Sequence, residues 1–435
     1  MDALARQDCP VYRPRSPRQS PLYQCVVRHT DELRASGKIR RPIEEQVLER
    51  FLDCGDLHKG FARIHCDNCG DGYLLAFSCK TRCFCPSCHQ KRMLVYGEWV
   101  QEAVLAPVPH RQFVFTLPKL LRPYFHHRAY LGELCRMIGK RLKQTYREIL
   151  PDGEAGFIAF VQTFGDLVTF NPHVHVLAAD GVFQDNGVFR VLPPPPVELL
   201  AEQFRRDVLD FMVEEGAITD DFRERLLSWH HSGFSVHHEV KVKARDTEGQ
   251  QQLARYMIRA PFSLEKTEYK SGSGMIVYRS KMHQSLKRNY QIMPGAQWLA
   301  LLLQHVPDKG EHLVRYYGWY SNRSRGMRKQ QDEDNPLAVT VDEAPVDPAY
   351  QSNARTAWAR LIQKVYEVDP MLCPRCGEEM RLMALIEDPP VIEKILKHLH
   401  LWDPRPSGPD PPDDDLGWPE TSQIPITYGP LPDIA

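Results

Sequence analysis

His173 and His175 flank a single valine in the run Phe170-Asn171-Pro172-His173-Val174-His175-Val176-Leu177-Ala178-Ala179-Asp180-Gly181. Its apolar, β-branched composition predicts a buried strand, and strand side chains alternate between faces. The two imidazoles therefore project to one side, and Val174 and Val176 to the other. Two imidazoles one strand repeat apart make half of a divalent-metal site. About eighty residues later, Gln251-Gln252-Leu253-Ala254-Arg255-Tyr256-Met257-Ile258-Arg259 has helical spacing and carries Tyr256 between two arginines. A cation beside a helical tyrosine is equipment for cutting a phosphodiester with a protein nucleophile. A neutral phenol attacks weakly, so the reaction needs nearby positive charge, which Arg255, Arg259 and the cation supply.

These groups need a scaffold. Residues 156–164 read as a strand so close to the histidine strand that the two form an antiparallel hairpin. That pairing puts Gln162 on the histidine face as a third ligand through its amide oxygen; Asp166 and Gln252 are the rival donors. Imidazole plus oxygen ligands suit Mg²⁺ or Mn²⁺ with positions open for substrate. Further strands are expected at 111–118 and 234–242, with a helix at about 127–150. His237 and His238 point to opposite faces and read as structural. Helices at about 195–230 follow the run Pro193 to Pro196 as an insertion. Asp246 is the expected N-cap of the Tyr256 helix, and a hairpin turns across Ser271-Gly272-Ser273-Gly274. The fold class is α+β, with a central antiparallel sheet flanked by helices.

The cysteines form a second constellation. Cys66-Asp67-Asn68-Cys69 and Cys85-Pro86-Ser87-Cys88 are CxxC knuckles fifteen residues apart, the spacing of a four-thiolate zinc ribbon. Cys54, His58, His65, Cys79 and Cys83 lie near enough to complete another site. Cys373-Pro374-Arg375-Cys376 is a third knuckle and only half a site; His398 and His400 are the expected partners. Lys80, Arg82, Lys91 and Arg92 surround the first knuckles and suit a DNA-facing surface. A third segment, Arg315-Tyr316-Tyr317-Gly318-Trp319-Tyr320-Ser321-Asn322-Arg323-Ser324-Arg325-Gly326, interleaves aromatics with arginines. Such a pattern stacks unpaired bases while neutralising phosphates, or docks amphipathically on a core. Tyr316, Tyr317 and Tyr320 are rival nucleophiles.

At 435 residues the chain holds several domains, and its formal charge of −1 excludes a uniformly basic coat. No apolar run reaches membrane-spanning length, and the N-terminus lacks a signal-peptide core, so a cytoplasmic location is expected. There thiols stay reduced, which favours Zn²⁺ over disulfides for the twelve cysteines. The expected organisation is an arm at 1–38, a zinc-ribbon domain at 39–105 and a catalytic domain at 106–282. A helical, aromatic-basic segment and linker (283–348), a C-terminal helical/CxxC module (349–402) and a disordered acidic, proline-rich tail (403–435) follow.

The order of zinc ribbon, FVFTLP strand, NPHVHVLAADG, GFSVHHEVKV, LARYMIRAPFS, RYYGWYSNRSRG and DPMLCPRCGEEM resembles the IS91-family transposases. More closely, it resembles their single-tyrosine branch, similar to the common-region insertion elements, and the likeness spans about residues 40–402. The resemblance implies an HUH endonuclease fold and rolling-circle-like transposition through single-stranded DNA, the element termini and their hairpins being the partners. It implies Mg²⁺ or Mn²⁺ on His173 and His175, a 5′-phosphotyrosine at Tyr256, and DNA contacts from Arg255, Arg259, Arg315, Tyr316, Tyr317, Trp319, Arg323 and Arg325. A homo-oligomer is compatible with it. Two-tyrosine members carry another tyrosine four residues earlier; here Gln252 stands there, which implies one tyrosine used repeatedly. Alternatives are a rolling-circle initiator or relaxase with the same chemistry, without the GxxxxGK[ST] loop of a fused motor, or a non-catalytic zinc-dependent DNA-binding regulator.

Overall fold

The computed structural model describes residues 17–184, 187–282, 287–334, 372–373 and 375–402. The first sixteen residues of the arm, the linker beyond 334, residues 349–371 of the C-terminal module and the tail from 403 lie outside the described residues.

Helix α1 (Pro21–Ala35) starts behind Ser20, whose hydroxyl accepts the Tyr23 N–H, with proline at the first helical position. Helix α2 (Pro42–Leu52) precedes strands β1 (Phe61–His65) and β2 (Gly72–Ala76), and the second knuckle leads into α3 (Pro86–Ala103). Then come β3 (His110–Thr116), α4 (Ala129–Ile149), β4 (Glu154–Phe164), β5 (Phe170–Phe183) and β6 (Phe189–Val191). The predicted inserted helices are α5 (Val197–Glu214) and α6 (Asp220–Ser228). Next are β7 (Ser235–His237), β8 (Lys241–Val242) and α7 (Thr247–Met257), with the Asp246 carboxylate accepting the Gly249 N–H as its cap. Strands β9 (Thr267–Lys270), β10 (Met275–Arg279) and β11 (Tyr290–Pro294) form a meander that runs into α8 (Gly295–Leu303). The described chain ends with β12 (Val314–Gly318), α9 (Asn322–Asp334), β13 (Arg381–Ile386) and α10 (Pro389–His398).

The central sheet runs β12-β4-β5-β3-β7, with β6 added to β5 and β8 to β3, and its strand pairs are antiparallel. Strand alternation sorts its side chains into two cores. Phe113, Phe115, Phe157, Ala159, Val174 and Val176 pack under α4 and α5, against Leu134, Ile138, Leu142, Phe204 and Val208. Ile158, Phe160, Leu177 and Ala179 pack under α3 and α7, against Val100, Leu253, Ala254 and Met257. Both faces are covered, which is why β4 and β5 read as nearly unbroken apolar runs. A third core joins α1, α2 and α8 to the meander around Trp298.

Three features depart from the expectations. The strand expected at 234–242 is split: Val114 pairs with His237 but Arg111 with Lys241, so one extra residue on the outer strand makes a β-bulge. Residues 314–318, expected in a helical DNA-binding segment, are the edge strand β12 of the central sheet, because their alternating aromatics fit β4. Strand β13 pairs with β1 in a sheet of order β13-β1-β2 and thereby joins the C-terminal CxxC segment to the N-terminal cysteine module. Among the described residues no helix is long and apolar enough to cross a membrane.

Candidate active site

Gln162 and His173 are opposite partners in the β4–β5 ladder, and His175 lies one strand repeat further on. All three are buried and face α7. The two Nε2 atoms are 3.1 Å apart. Neighbouring ligands on an octahedral cation with bonds of about 2.1 Å would be about 3.0 Å apart, so the pair has the right bite. His173 Nδ1–H donates to the Asn171 carbonyl at 2.7 Å, leaving its Nε2 lone pair free. His175 Nδ1 lies 2.7 Å from the Gln112 side-chain amide. A half-turn of that amide exchanges its oxygen for its nitrogen; it would hold a proton on Nδ1 and free the second Nε2 lone pair. Burial lowers the His173 pKa to about 4 and that of His175 further, with His173 and Arg259 adding to the effect on His175. Both rings are therefore neutral near pH 7, the form that binds a metal.

The Gln162 amide nitrogen donates to the carbonyls of Met257 at 2.7 Å and Tyr256 at 3.3 Å. Its amide oxygen is buried without a hydrogen-bond partner. An orphaned buried acceptor beside two imidazoles fits a cation ligand. Among the described residues no third His, Cys, Asp or Glu atom joins the pair within 4.8 Å. The rival donors are turned elsewhere: Asp166 is exposed, and the Gln252 amide donates to Glu248.

Tyr256 is 40 % exposed, and its ring meets His175 edge-on with centroids 5.8 Å apart. The Arg259 guanidinium lies 4.6 Å from the Tyr256 ring centroid and 5.5 Å from that of Phe164. Arg255 is on the other side of α7: a Cβ added at Gly97 of α3 would lie 2.6 Å from its Cγ. Of the two flanking arginines, Arg259 is the one beside the histidines. Spacing did not reveal two supports of this site. Gln112 orients His175, and His89 of α3 reaches the Ile258 carbonyl, just past α7, with Nε2 at 2.7 Å while its Nδ1 accepts the Cys83 N–H at 3.0 Å. No periodicity marks a single polar residue of this kind, although His89 directly follows a CxxC knuckle.

The aromatic-basic segment is divided by strand alternation. Tyr316 turns to the α3 side, where its hydroxyl meets that of Tyr96 at 3.1 Å and Arg325 lies 5.3 Å from its ring centroid and 5.4 Å from that of Trp99. Arg328 stacks on Trp319 at 4.0 Å. Arg315 and Tyr317 turn to the opposite face, where a Cβ added at Gly132 of α4 would touch the guanidinium and the Tyr317 hydroxyl donates to the Cys135 carbonyl at 2.9 Å. The predicted set is therefore not one surface. Tyr320 is buried against His110, at 2.8 Å, and Arg323 lies at the start of α9. None of the three rival tyrosines is placed beside the histidines.

The cysteines are partitioned differently from the expected ribbon. Cys54, Cys79, Cys85 and Cys88 form one group, and Cys66, Cys69, Cys373 and Cys376 another, each with sulfurs within 4.8 Å of one another. Hence Cys66 and Cys69 do not share a site with Cys85 and Cys88. His398 and His400 do not complete the Cys373 knuckle, and His58, bonded to Asp56 at 2.8 Å, joins neither group. The reason is topological: the first knuckle sits in the β1–β2 turn and β2 leads away from it to the second, while pairing of β13 with β1 delivers the third.

Residues 156–328 match a family model described as "Putative transposase", and residues 25–117 match one described as "Transposase zinc-binding domain". The transposase for insertion sequence element IS801 of Pseudomonas savastanoi pv. phaseolicola is 25 % identical over 365 residues, covering 80 % of this chain and 85 % of that protein. A Sinorhizobium fredii protein named "Putative transposase y4qJ" is 24 % identical over 386 residues, covering 83 % and 94 %. No solved structure matches. The two family matches and both relatives support an IS91-family transposase. The zinc-binding family domain and the two tetrathiolate groups together support structural zinc.

Proposed function

We propose that this transposase cuts and rejoins single-stranded DNA at the ends of its element, with Tyr256 as nucleophile and the chain held to a 5′-phosphotyrosine between the two steps. The observation that carries the reading is the contact of the Tyr256 ring with His175, beside His173 and its ladder partner Gln162, whose amide oxygen is unpartnered. His173, His175 and Gln162 would hold Mg²⁺ or Mn²⁺. When bound, the cation supplies charge to draw electron density from the scissile phosphate and to stabilise the departing oxygen.

The protein's own groups do the rest. Arg259, over the Tyr256 ring, puts a positive charge beside the nucleophile, suited to pairing with the scissile phosphate. The phenolate oxygen attacks phosphorus in line, the P–O3′ bond breaks, and its electron pair leaves on the 3′ oxygen, which takes up a proton. A later 3′-hydroxyl reverses the exchange on a new strand, so the phosphodiester bond energy is kept and no nucleotide cofactor is consumed. With Gln252 in place of a second tyrosine, one nucleophile serves both ends in turn. Trp99, Tyr316 and Arg325 offer an aromatic-cationic surface suited to unpaired bases.

The test is incubation with end-labelled single-stranded terminus DNA and Mn²⁺, followed by denaturing electrophoresis. The expected product is a covalent protein–DNA adduct that maps to Tyr256 by mass spectrometry and is absent in Tyr256→Phe. An undiminished adduct in that variant would move the nucleophile elsewhere, and an intact strand would end the reading.

A further inference from the structure

We propose that Cys66, Cys69, Cys373 and Cys376 bind a second zinc ion, a clasp closing about three hundred residues of chain, and that it opens before the Cys54 site does. The Cys66–Cys376 and Cys69–Cys373 sulfurs are 3.5 and 3.4 Å apart. In a tetrahedral tetrathiolate site with Zn–S bonds of about 2.3 Å the sulfurs are about 3.8 Å apart, and a disulfide needs about 2.05 Å. The spacing therefore fits shared coordination.

The two knuckles are built alike. In each, the glycine after the second cysteine donates its N–H to the first cysteine's carbonyl, Gly70 to Cys66 at 3.0 Å and Gly377 to Cys373 at 2.8 Å. Both glycines have positive φ, 74° and 78°. Each first cysteine's N–H returns to the residue five positions on, to Asp71 and Glu378, both at 2.8 Å. The Cys85 knuckle lacks this glycine and opens α3 instead. Like therefore pairs with like: the CxxCG turns face one another, and the helix-initiating turn takes Cys54 and Cys79. Antiparallel pairing of β1 with β13 aligns them, and Ile64, Cys66, Cys373 and Met380 form a small core beneath.

The clasp has work to do. Ile386 is the only buried side chain among the six of β13, so apolar packing gives that strand little hold. The family zinc-binding match ends at residue 117, far from Cys373. Accessibility sets the order of release. Cys376 is exposed and Cys69 half-buried, whereas Cys54 and Cys85 lie in the core formed with α1, α2 and α8. A thiol-displacing reagent or chelator reaches the clasp first.

The full-length protein, purified with zinc, is tested by elemental mass spectrometry and by timed release to a chromophoric chelator. We expect two zinc ions per chain, released in two phases, and one ion with the fast phase missing in a Cys373→Ser/Cys376→Ser double variant. Hydrogen exchange should rise at 61–65 and 381–386 in that variant and stay unchanged at 170–183, which separates clasp loss from global misfolding. One zinc in both proteins, a single release phase, or blocked thiols revealing two disulfides at these cysteines would overturn the proposal.

Discussion

Replacing Gln162 with leucine separates the hydrogen bonding of its amide nitrogen from the metal ligation proposed for its oxygen. Its nitrogen makes two hydrogen bonds to the end of α7, at 2.7 and 3.3 Å, each contributing about 1 kcal/mol net. Its oxygen is buried and unpaired, a desolvation cost of about 1–3 kcal/mol that leucine abolishes. Without a divalent cation these terms offset one another, and local stability should stay within about 1 kcal/mol of wild type. With Mn²⁺ at a hundred times its dissociation constant, wild type gains about 2.7 kcal/mol. A change in the outer shell of a metal site alone weakens affinity about 10–100-fold, so losing a direct ligand should bring the gain in the variant to about 0.4 kcal/mol at the same concentration. The readout is hydrogen exchange of peptides spanning β4, β5 and α7, with and without Mn²⁺, which reports this region in a chain of several cores. Equal Mn²⁺-dependent protection in both proteins would refute Gln162 as a ligand. A variant already weakened by several kcal/mol without the cation would reduce the residue to a helix anchor.

His89→Ala removes the link from α3 to the end of α7 and strands the Cys83 N–H. We expect about 2–4 kcal/mol less protection of α7 and slower adduct formation at unchanged zinc content; unaltered α7 exchange would contradict the link. The buried, neutral histidines set a pH dependence as well. Burial lowers the folded pKa of His110 and His173 to about 4 and of His305 to about 3, against about 6.5 unfolded. Below about pH 6.5 the unfolded chain binds protons that the folded chain refuses, so this stability is complete above that value and is lost as pH falls toward 4. Three such groups predict a slope of about 3–4 kcal/mol per pH unit near pH 5. Urea unfolding at pH 7.5 and pH 5 measures it, and His110→Gln should reduce the slope by about a third.

Much of the site was readable along the chain because its parts obey local rules. Alternation by itself put His173 and His175 on one face, and an eleven-residue helix capped by Asp246 presented Tyr256. The short turn between β4 and β5 made Gln162 the neighbour of His173, since an antiparallel hairpin leaves little freedom of register. Knuckle spacing also predicted thiolate sites.

What local spacing could not decide was partnership across the molecule. The cysteine groups follow from β13 joining β1, a contact between segments about three hundred residues apart, and no periodicity encodes a choice among three similar knuckles. Arg315 and Tyr317 look like companions of Tyr316 until β12 takes its place on β4, whereupon alternation sends them to the α4 face. Arg259 rather than Arg255 stands by the histidines because α3 packs on one side of α7 and the sheet on another. Side-chain type and short-range geometry are properties of the sequence, whereas which ligands meet and which face sees the substrate are set only when the cores close.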